Sequence, residues 1–342
     1  MTVDASIPRR PVGIAIAVVA AAAVALALLL SGCGTGGPAP TAPPPSPPPT
    51  AAPTDRTTGP AVSPLTGLPG RTGPVLAVKI DNVRAARPHT GLGAADVVYV
   101  EQVEAGLTRF LAVYASQLPP RVGPVRSARE SDVELLRQFG RPALAYSGVR
   151  SALKGFLQDA PLYAVPPERA PAAYVRDPGR PAPHNLYLSP ERALAAAPDA
   201  QEVRDIGFRF GAAPSGGRPV SEHTVRYPAA RYTFTWSASG EHWRVALDGT
   251  PARTTDAGPV TPSTVVVQYV TVRPSAYEDR GGSVTPYTET VGSGAALVLR
   301  DGRAYDARWS RPAADGGTSY TTPSGESLAF APGQVWVVLV AR

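Results

Sequence analysis

Two arginines, Arg126 and Arg129, stand in the run Gly123-Pro-Val-Arg-Ser-Ala-Arg129, just ahead of an apolar stripe that reads as a helix. A guanidinium presents a planar fork of donors that matches phosphate or carboxylate, so such a pair suits an anionic ligand. Cations at a helix start are disfavoured by the helix dipole unless something negative compensates them, which points the same way. Arg109 and Arg150 stand at the ends of strand-like runs that could converge on the pair, and His184-Asn185 could add neutral donors. The competing use is structural. Glu101, Glu104, Glu130 and Asp132 are close enough in sequence to hold these arginines in ion pairs.

Acid–base chemistry has thinner support. Glu101 and Glu104 could form a pair, but three residues apart on one strand they point to opposite faces. Asp81 follows a buried-looking run and is well placed, although an Asp81-Asn82 turn explains it equally. His184 could act as a general base. Ser127 and Ser147 lack the Gly-x-Ser-x-Gly elbow of a hydrolase. His89, His184, His223 and His242 have no metal-ligand spacing, and a single cysteine excludes a cysteine metal cluster. No metal and no cofactor are expected. The pattern leans toward a binding protein rather than an enzyme.

The elements that must position these residues follow from periodicity. Val75–Ile80, Asp96–Glu101 and Thr108–Tyr114 read as strands, the last two joined by a turn at Ala105-Gly106. Ser127 and Glu130 fit a capping box for the helix carrying Val133, Leu136 and Phe139. Ala143–Ser147 reads as another strand, and Ser189-Pro190-Glu191 opens a short helix. Beyond residue 221 nearly everything alternates. Tyr232–Trp236, His242–Leu247 and a long run Thr264–Val272 are strands, and Asp301-Gly302 joins Ala296–Arg300 to Arg303–Trp309 in a hairpin. Gln334–Val340 has the continuous apolar character of a central strand. Trp236, Trp243, Trp309 and Trp336 fall on strands, where core packing is their expected use.

The chain has 342 residues, 33 of them Gly and 40 Pro, with a formal net charge of +6. Proline near 12%, against about 5% in ordinary proteins, excludes an all-helical bundle. Arginine supplies nearly all the positive charge, Lys79 and Lys154 being the only lysines. A surplus this small and dispersed does not imply a nucleic-acid partner.

Arg9 and Arg10 precede an uncharged run from Val12 to Leu30 that ends Leu30-Ser31-Gly32-Cys33. A positive start and a short apolar core make a secretory signal. The last four residues resemble the lipobox of bacterial lipoproteins, with Cys33 as the lipidation site. The alternative is a single transmembrane anchor, since the run is nearly long enough to span a bilayer. Either way the rest lies on the extracytoplasmic face of the membrane. From Gly34 the composition is Pro, Thr, Ala, Gly and Ser, too poor in large apolar side chains to fold.

The organisation expected is therefore a signal segment over 1–33, a disordered stalk over 34–63, and an N-terminal α/β domain over 64–204. A linker over 205–221 and a β-rich domain over 222–342 follow, an α+β protein as a whole. The residues Val78-Lys-Ile-Asp-Asn82, Ala86-Arg-Pro-His-Thr-Gly91, Gly123-Pro-Val-Arg-Ser-Ala-Arg129, Ala182-Pro-His-Asn-Leu186 and Ala331-Pro-Gly-Gln-Val-Trp336 resemble the YerB-like lipoproteins of bacteria. The resemblance runs over nearly everything after Pro64 and implies the same two-part architecture and a lipid anchor. It brings no activity with it. The function expected is non-enzymatic binding of an anionic envelope component through Arg109, Arg126, Arg129, Arg150, His184 and Asn185. The alternatives are a hydrolase or transferase acting on an anionic wall glycan or peptide through Asp81, Glu101, Glu104 or His184, and a structural partner of a membrane-protein complex.

Overall fold

The computed structural model describes residues 61–279 and 281–342. The signal segment, Cys33 and nearly all of the stalk lie outside them. No helix among the described residues is long and apolar enough to cross a membrane.

In the N-terminal part the elements run β1 (Leu76–Asp81), β2 (Val97–Gln102), β3 (Thr108–Tyr114), α1 (Glu130–Leu136), β4 (Ala143–Ala145), α2 (Lys154–Asp159), β5 (Tyr163–Val165), β6 (Tyr174–Arg176), β7 (Leu186–Leu188) and α3 (Pro190–Ala195). The chain continues with β8 (Arg218–Pro219), β9 (Glu222–Tyr227), β10 (Ala230–Ser237), β11 (His242–Leu247), β12 (Thr250–Pro251), β13 (Arg253–Thr254) and β14 (Gly258–Pro259). It ends with β15 (Thr264–Val270), β16 (Val272–Glu278), β17 (Val284–Thr288), β18 (Gly292–Arg300), β19 (Arg303–Arg311), β20 (Ser319–Thr321) and β21 (Val335–Ala341).

One sheet joins the two parts, in the order β20-β19-β18-β15-β21-β2-β3-β1-β4-β5, with β8 against β19. The seam is β21. It runs parallel to both neighbours, Val335 pairing with Thr264 on β15 and with Val97 on β2. A strand in that position is covered on both faces, which its unbroken apolar sequence satisfies. The described residues accordingly form one compact unit. Within the 205–221 segment Ile206 and Phe208 are buried, and Phe208 meets Phe330 edge-on at 5.1 Å, whereas most of residues 211–221 are exposed.

Alternation divides the strands between two cores. Leu76, Val78, Ile80, Val100 and Phe110 face the four-stranded sheet β12-β11-β10-β9, where Phe234 and Trp243 close the packing against Trp336. Ala77, Tyr99, Leu111 and Val113 face α1 and the aromatic group of Phe208, Tyr320 and Phe330. Lys79 and Asp81 continue this second face along β1. The helices are short and the architecture is strand-rich.

Two local expectations are corrected. The helix begins at Glu130, not Ala128, and its start is capped by Asp132, whose Oδ2 accepts from Arg129 N at 2.6 Å. Ser127 is two residues too early to serve. The run Thr264–Val272 is not one strand. It breaks after Val270, where β21 ends, and the chain turns out into the hairpin β16–β17, whose Pro274 has no amide to give a central ladder. That hairpin packs on α1: Ser275 Oγ donates to Glu130, Tyr287 OH and the Thr290 amide donate to Glu134, and Thr288 N donates to Ser131 Oγ.

Candidate functional site

Strand pairing lines up three charged side chains at one end of the sheet. Asp81 on β1 stands opposite Arg109 on β3, and Arg109 opposite Glu101 on β2. Side chains so opposed share a face, here the face that carries α1. Lys79, one turn of the pleat back on β1, completes the group.

Lys79 is buried between two carboxyls. Its Nζ donates to Glu101 Oε2 and, at 2.5 Å, to Asp132 Oδ1, and all three residues are at most 2% exposed. One ammonium cannot neutralise two carboxylates. Burial pushes the Glu101 carboxyl up to about 8, Lys79 pulls against the rise, and Asp132 adds to it. Glu101 Oε1 has no hydrogen-bond partner. Asp132, expected among the carboxylates that could hold the arginines, pairs instead with Lys79, whose place at the centre of the apolar run Leu76–Asp81 in a chain with two lysines is a visible signal.

Arg129 is fully engaged. Its Nε and Nη2 clasp the two oxygens of Glu104 at 2.6 and 2.5 Å, and Nη1 donates to Ala128 O. Thr285 adds a third donor to Glu104. Burial works against the Glu104 charge, but these donors outweigh it and hold the carboxyl down to about 2. Glu101 and Glu104 thus serve different cations and do not form an acid–base pair.

Arg109 and Arg126 are differently placed. Arg109 is half-buried, donates from Nη1 to Ser127 O at 3.0 Å, and has no carboxylate within ion-pair distance among the described residues. Burial, then Arg129, depress its pKa; Asp81 and Glu104 offset part of this, and Arg126 adds to it. A guanidinium keeps its proton at any ordinary pH. The depression reflects burial first and the neighbouring positive charge second. Arg126 Nε lies 3.1 Å from Asp81 Oδ2, but its N–H is not aimed at that oxygen, so the contact is one of charge alone.

The same Asp81 oxygen accepts from His184 Nδ1 at 2.7 Å, and Asp81 O accepts from His89 Nε2 at 2.9 Å. His184 is partly exposed, and with Nδ1 engaged its Nε2 is the free nitrogen. His89 is buried and burial pushes it down to about 4. Asn185 does not join this group; its Oδ1 accepts from Arg176 and its Nδ2 donates to Asp177 O. Arg150 is exposed and donates to Asp279 O on the β16–β17 hairpin. The structure therefore brings Arg109, Arg126, Asp81 and His184 together, with Arg129–Glu104 alongside. A cleft of about 250 Å³ lies next to Glu104 and Thr285, between the 103–106 turn and the hairpin.

Comparison with known proteins bears on both parts of the chain. The family described as "Protein of unknown function (DUF3048) N-terminal domain" matches residues 65–204, and its C-terminal domain matches residues 223–337. A relative from Bacillus subtilis (strain 168), "Putative lipoprotein YerB", is 28% identical over 279 residues, which is 78% of this chain and 80% of that protein. The crystal structure of the YerB protein from Bacillus subtilis matches with a TM-score of 0.69 at 24% identity, over 82% of this chain and 96% of that one. At that identity the match speaks for the fold.

Proposed function

The chain belongs to the DUF3048 family, and from that premise we propose a protein lipid-anchored at the extracytoplasmic face of the cell membrane that binds an anionic envelope component. Cys33 would carry the lipid, in keeping with the lipoprotein name of the relative. Two or three acyl chains anchor a protein firmly where one does not. The binding group is Arg109 with Arg126, and His184 is tied to Arg126 through the shared Asp81 carboxylate.

The observation that carries this reading is the guanidinium of Arg109, half-buried, without a carboxylate in ion-pair distance among the described residues, and close to two other arginines, with Asp81 and Glu104 offsetting only part of their effect. Arg129 belongs to the scaffold, being spent on Glu104. The test is a thermal-shift titration of the full chain in detergent with phosphorylated and carboxylated envelope fragments. A ligand at about a hundred times its Kd stabilises by about 2.7 kcal/mol. The melting temperature of the parent should rise, and that of Arg109→Gln and Arg126→Gln should not. A rise of equal size in the parent and both variants overturns the assignment.

A second reading has its own observation. An imidazole oriented by a carboxylate at 2.7 Å, with its other nitrogen free and an arginine beside it, is the arrangement of a general base acting on a bound anion. The two readings separate on turnover. Loss of a hydrolytic product in His184→Gln, with ligand binding retained, favours an enzyme; no product from the parent favours a binding protein.

A further inference from the structure

A second pair of arginines lines a groove of about 470 Å³, walled by the Pro88–Thr90 segment, the Asp177–Arg180 turn, Arg121, Tyr187 and Thr255. Arg121 lies against the Tyr187 ring, its guanidinium carbon 3.9 Å from the ring centre. That stacking fixes the position of the fork. Its Nε is buried and has no hydrogen-bond partner, and its carboxylate neighbour Asp177 stands 3.8 Å from Nη2, near the limit of an ion pair. Arg180 is held by neutral acceptors: Nη1 donates to Pro88 O at 3.0 Å and to the Tyr187 hydroxyl, and Nη2 donates to Arg87 O at 2.9 Å. Of the two guanidinium groups, Arg121 thus has one loosely held carboxylate and Arg180 has none within ion-pair distance among the described residues. The hydroxyls of Thr90 and Thr255, 2.7 Å apart, border the same space.

We propose that this groove is a second oxyanion subsite and that it takes a phosphate. A carboxylate accepts in one plane. A phosphate presents oxygens in several directions and can take the Arg121 fork and a threonine hydroxyl together. The loop from Asp177 to Asn185 links the groove to the Asp81 group, since it carries Arg180 into one and His184 into the other. Four residues span at most about 14 Å of extended chain, and the bond from His184 N to Pro181 O at 3.0 Å draws this loop tighter. One flexible ligand with phosphates along its length can therefore reach both arginine pairs. This extension to a phosphate polymer rests on the Arg109–Arg126 reading; the groove itself does not.

The test uses the full chain in detergent and three probes: inorganic polyphosphate, pyrophosphate and poly-glutamate of matched length, followed by isothermal titration. A ligand that engages two linked subsites gains about a hundredfold or more over one that engages a single subsite. Arg121→Gln and Arg126→Gln should each weaken polyphosphate at least about tenfold. Pyrophosphate should bind either single variant and be lost only in the double variant. Arg121→Lys, which keeps the charge and loses the fork, should share the defect of Arg121→Gln and decides the matter where the Gln variant misfolds. Unchanged polyphosphate affinity in the Arg121 variants overturns the groove. Unchanged affinity in Arg126→Gln alone overturns the Arg109–Arg126 reading and leaves the groove standing. Poly-glutamate binding as tight as polyphosphate overturns the phosphate assignment.

Discussion

Replacing Glu101 by Gln tests whether the Lys79–Glu101–Asp132 group holds a proton in the folded protein. Burial raises the Glu101 carboxyl from 4.5 to about 8, against the pull of Lys79. Between those values the folded state binds a proton that the unfolded chain has released, so stability falls as pH rises through the window. At about 1.4 kcal/mol for each pH unit crossed, the ceiling is on the order of 5 kcal/mol. The sharing of Lys79 between two carboxyls makes the actual loss smaller. The amide of Gln has the same size, accepts from Lys79 through its oxygen, and sets its NH₂ where Glu101 Oε1 has no partner. It does not titrate. The stability of the parent relative to Glu101→Gln should therefore drop by several kcal/mol between pH 5 and pH 9. His89, pushed down to about 4 by burial, has the opposite effect from pH 4 to 6.5, but it is present in both proteins and cancels in the difference. Urea unfolding at pH 5, 6, 7, 8 and 9 measures that difference. A parent-minus-variant value that stays constant or grows with pH refutes the reasoning.

Arg129→Ala should destabilise by about 3–5 kcal/mol, as expected when a buried carboxylate loses its cation, and urea midpoints read the loss. Because Glu104 is held down to about 2 by its donors, its contribution is present above about 4.5 and disappears only as pH falls toward 2; acid unfolding of Arg129→Ala should begin at a higher pH than in the parent. Cys33→Ala should abolish incorporation of labelled palmitate and move the protein from the membrane pellet to the soluble fraction; retention in the pellet without label would mean a transmembrane anchor. Gly302→Ala should cost about 1–3 kcal/mol, because Gly302 has φ +67° in a turn with Asp301 at +51°, and an added Cβ would lie 2.8 Å from Trp236 Cδ1; equal urea midpoints for the two proteins would contradict this.

The strands were readable because burial imprints itself on spacing. Thr108–Tyr114 and His242–Leu247 form the strands expected of them, and Asp301-Gly302 makes its hairpin turn with both residues at positive φ. What the sequence could not display was pairing across great separations. Nothing in Val335–Ala341 tells that it lies between residues near 100 and residues near 267. The site was legible to the extent that register and neighbouring loops fixed it: Arg109 and Asp81 are direct partners on adjacent strands. Arg129 and Arg126, alike in spacing, separate because Arg129 clasps both oxygens of Glu104, whereas Arg126 meets the Asp81 carboxylate without a hydrogen bond from its Nε. Arg121 and Arg180 went unnoticed because 59 positions separate them and neither stands in a motif. Lys79 reads as an ordinary strand residue until the helix that bears Asp132 folds over it.

The parallel placement of β21 has a consequence for how the molecule comes into being. Until residues 335–341 have been synthesised, β2 and β15 each present an unpaired edge of amides and carbonyls. The chain must therefore spend most of its production with the middle of its sheet missing, a period in which such edges invite pairing with other chains. Contacts so distant in sequence also make folding slow. Anything that shields those strand edges, or keeps new chains dilute, should limit such pairing.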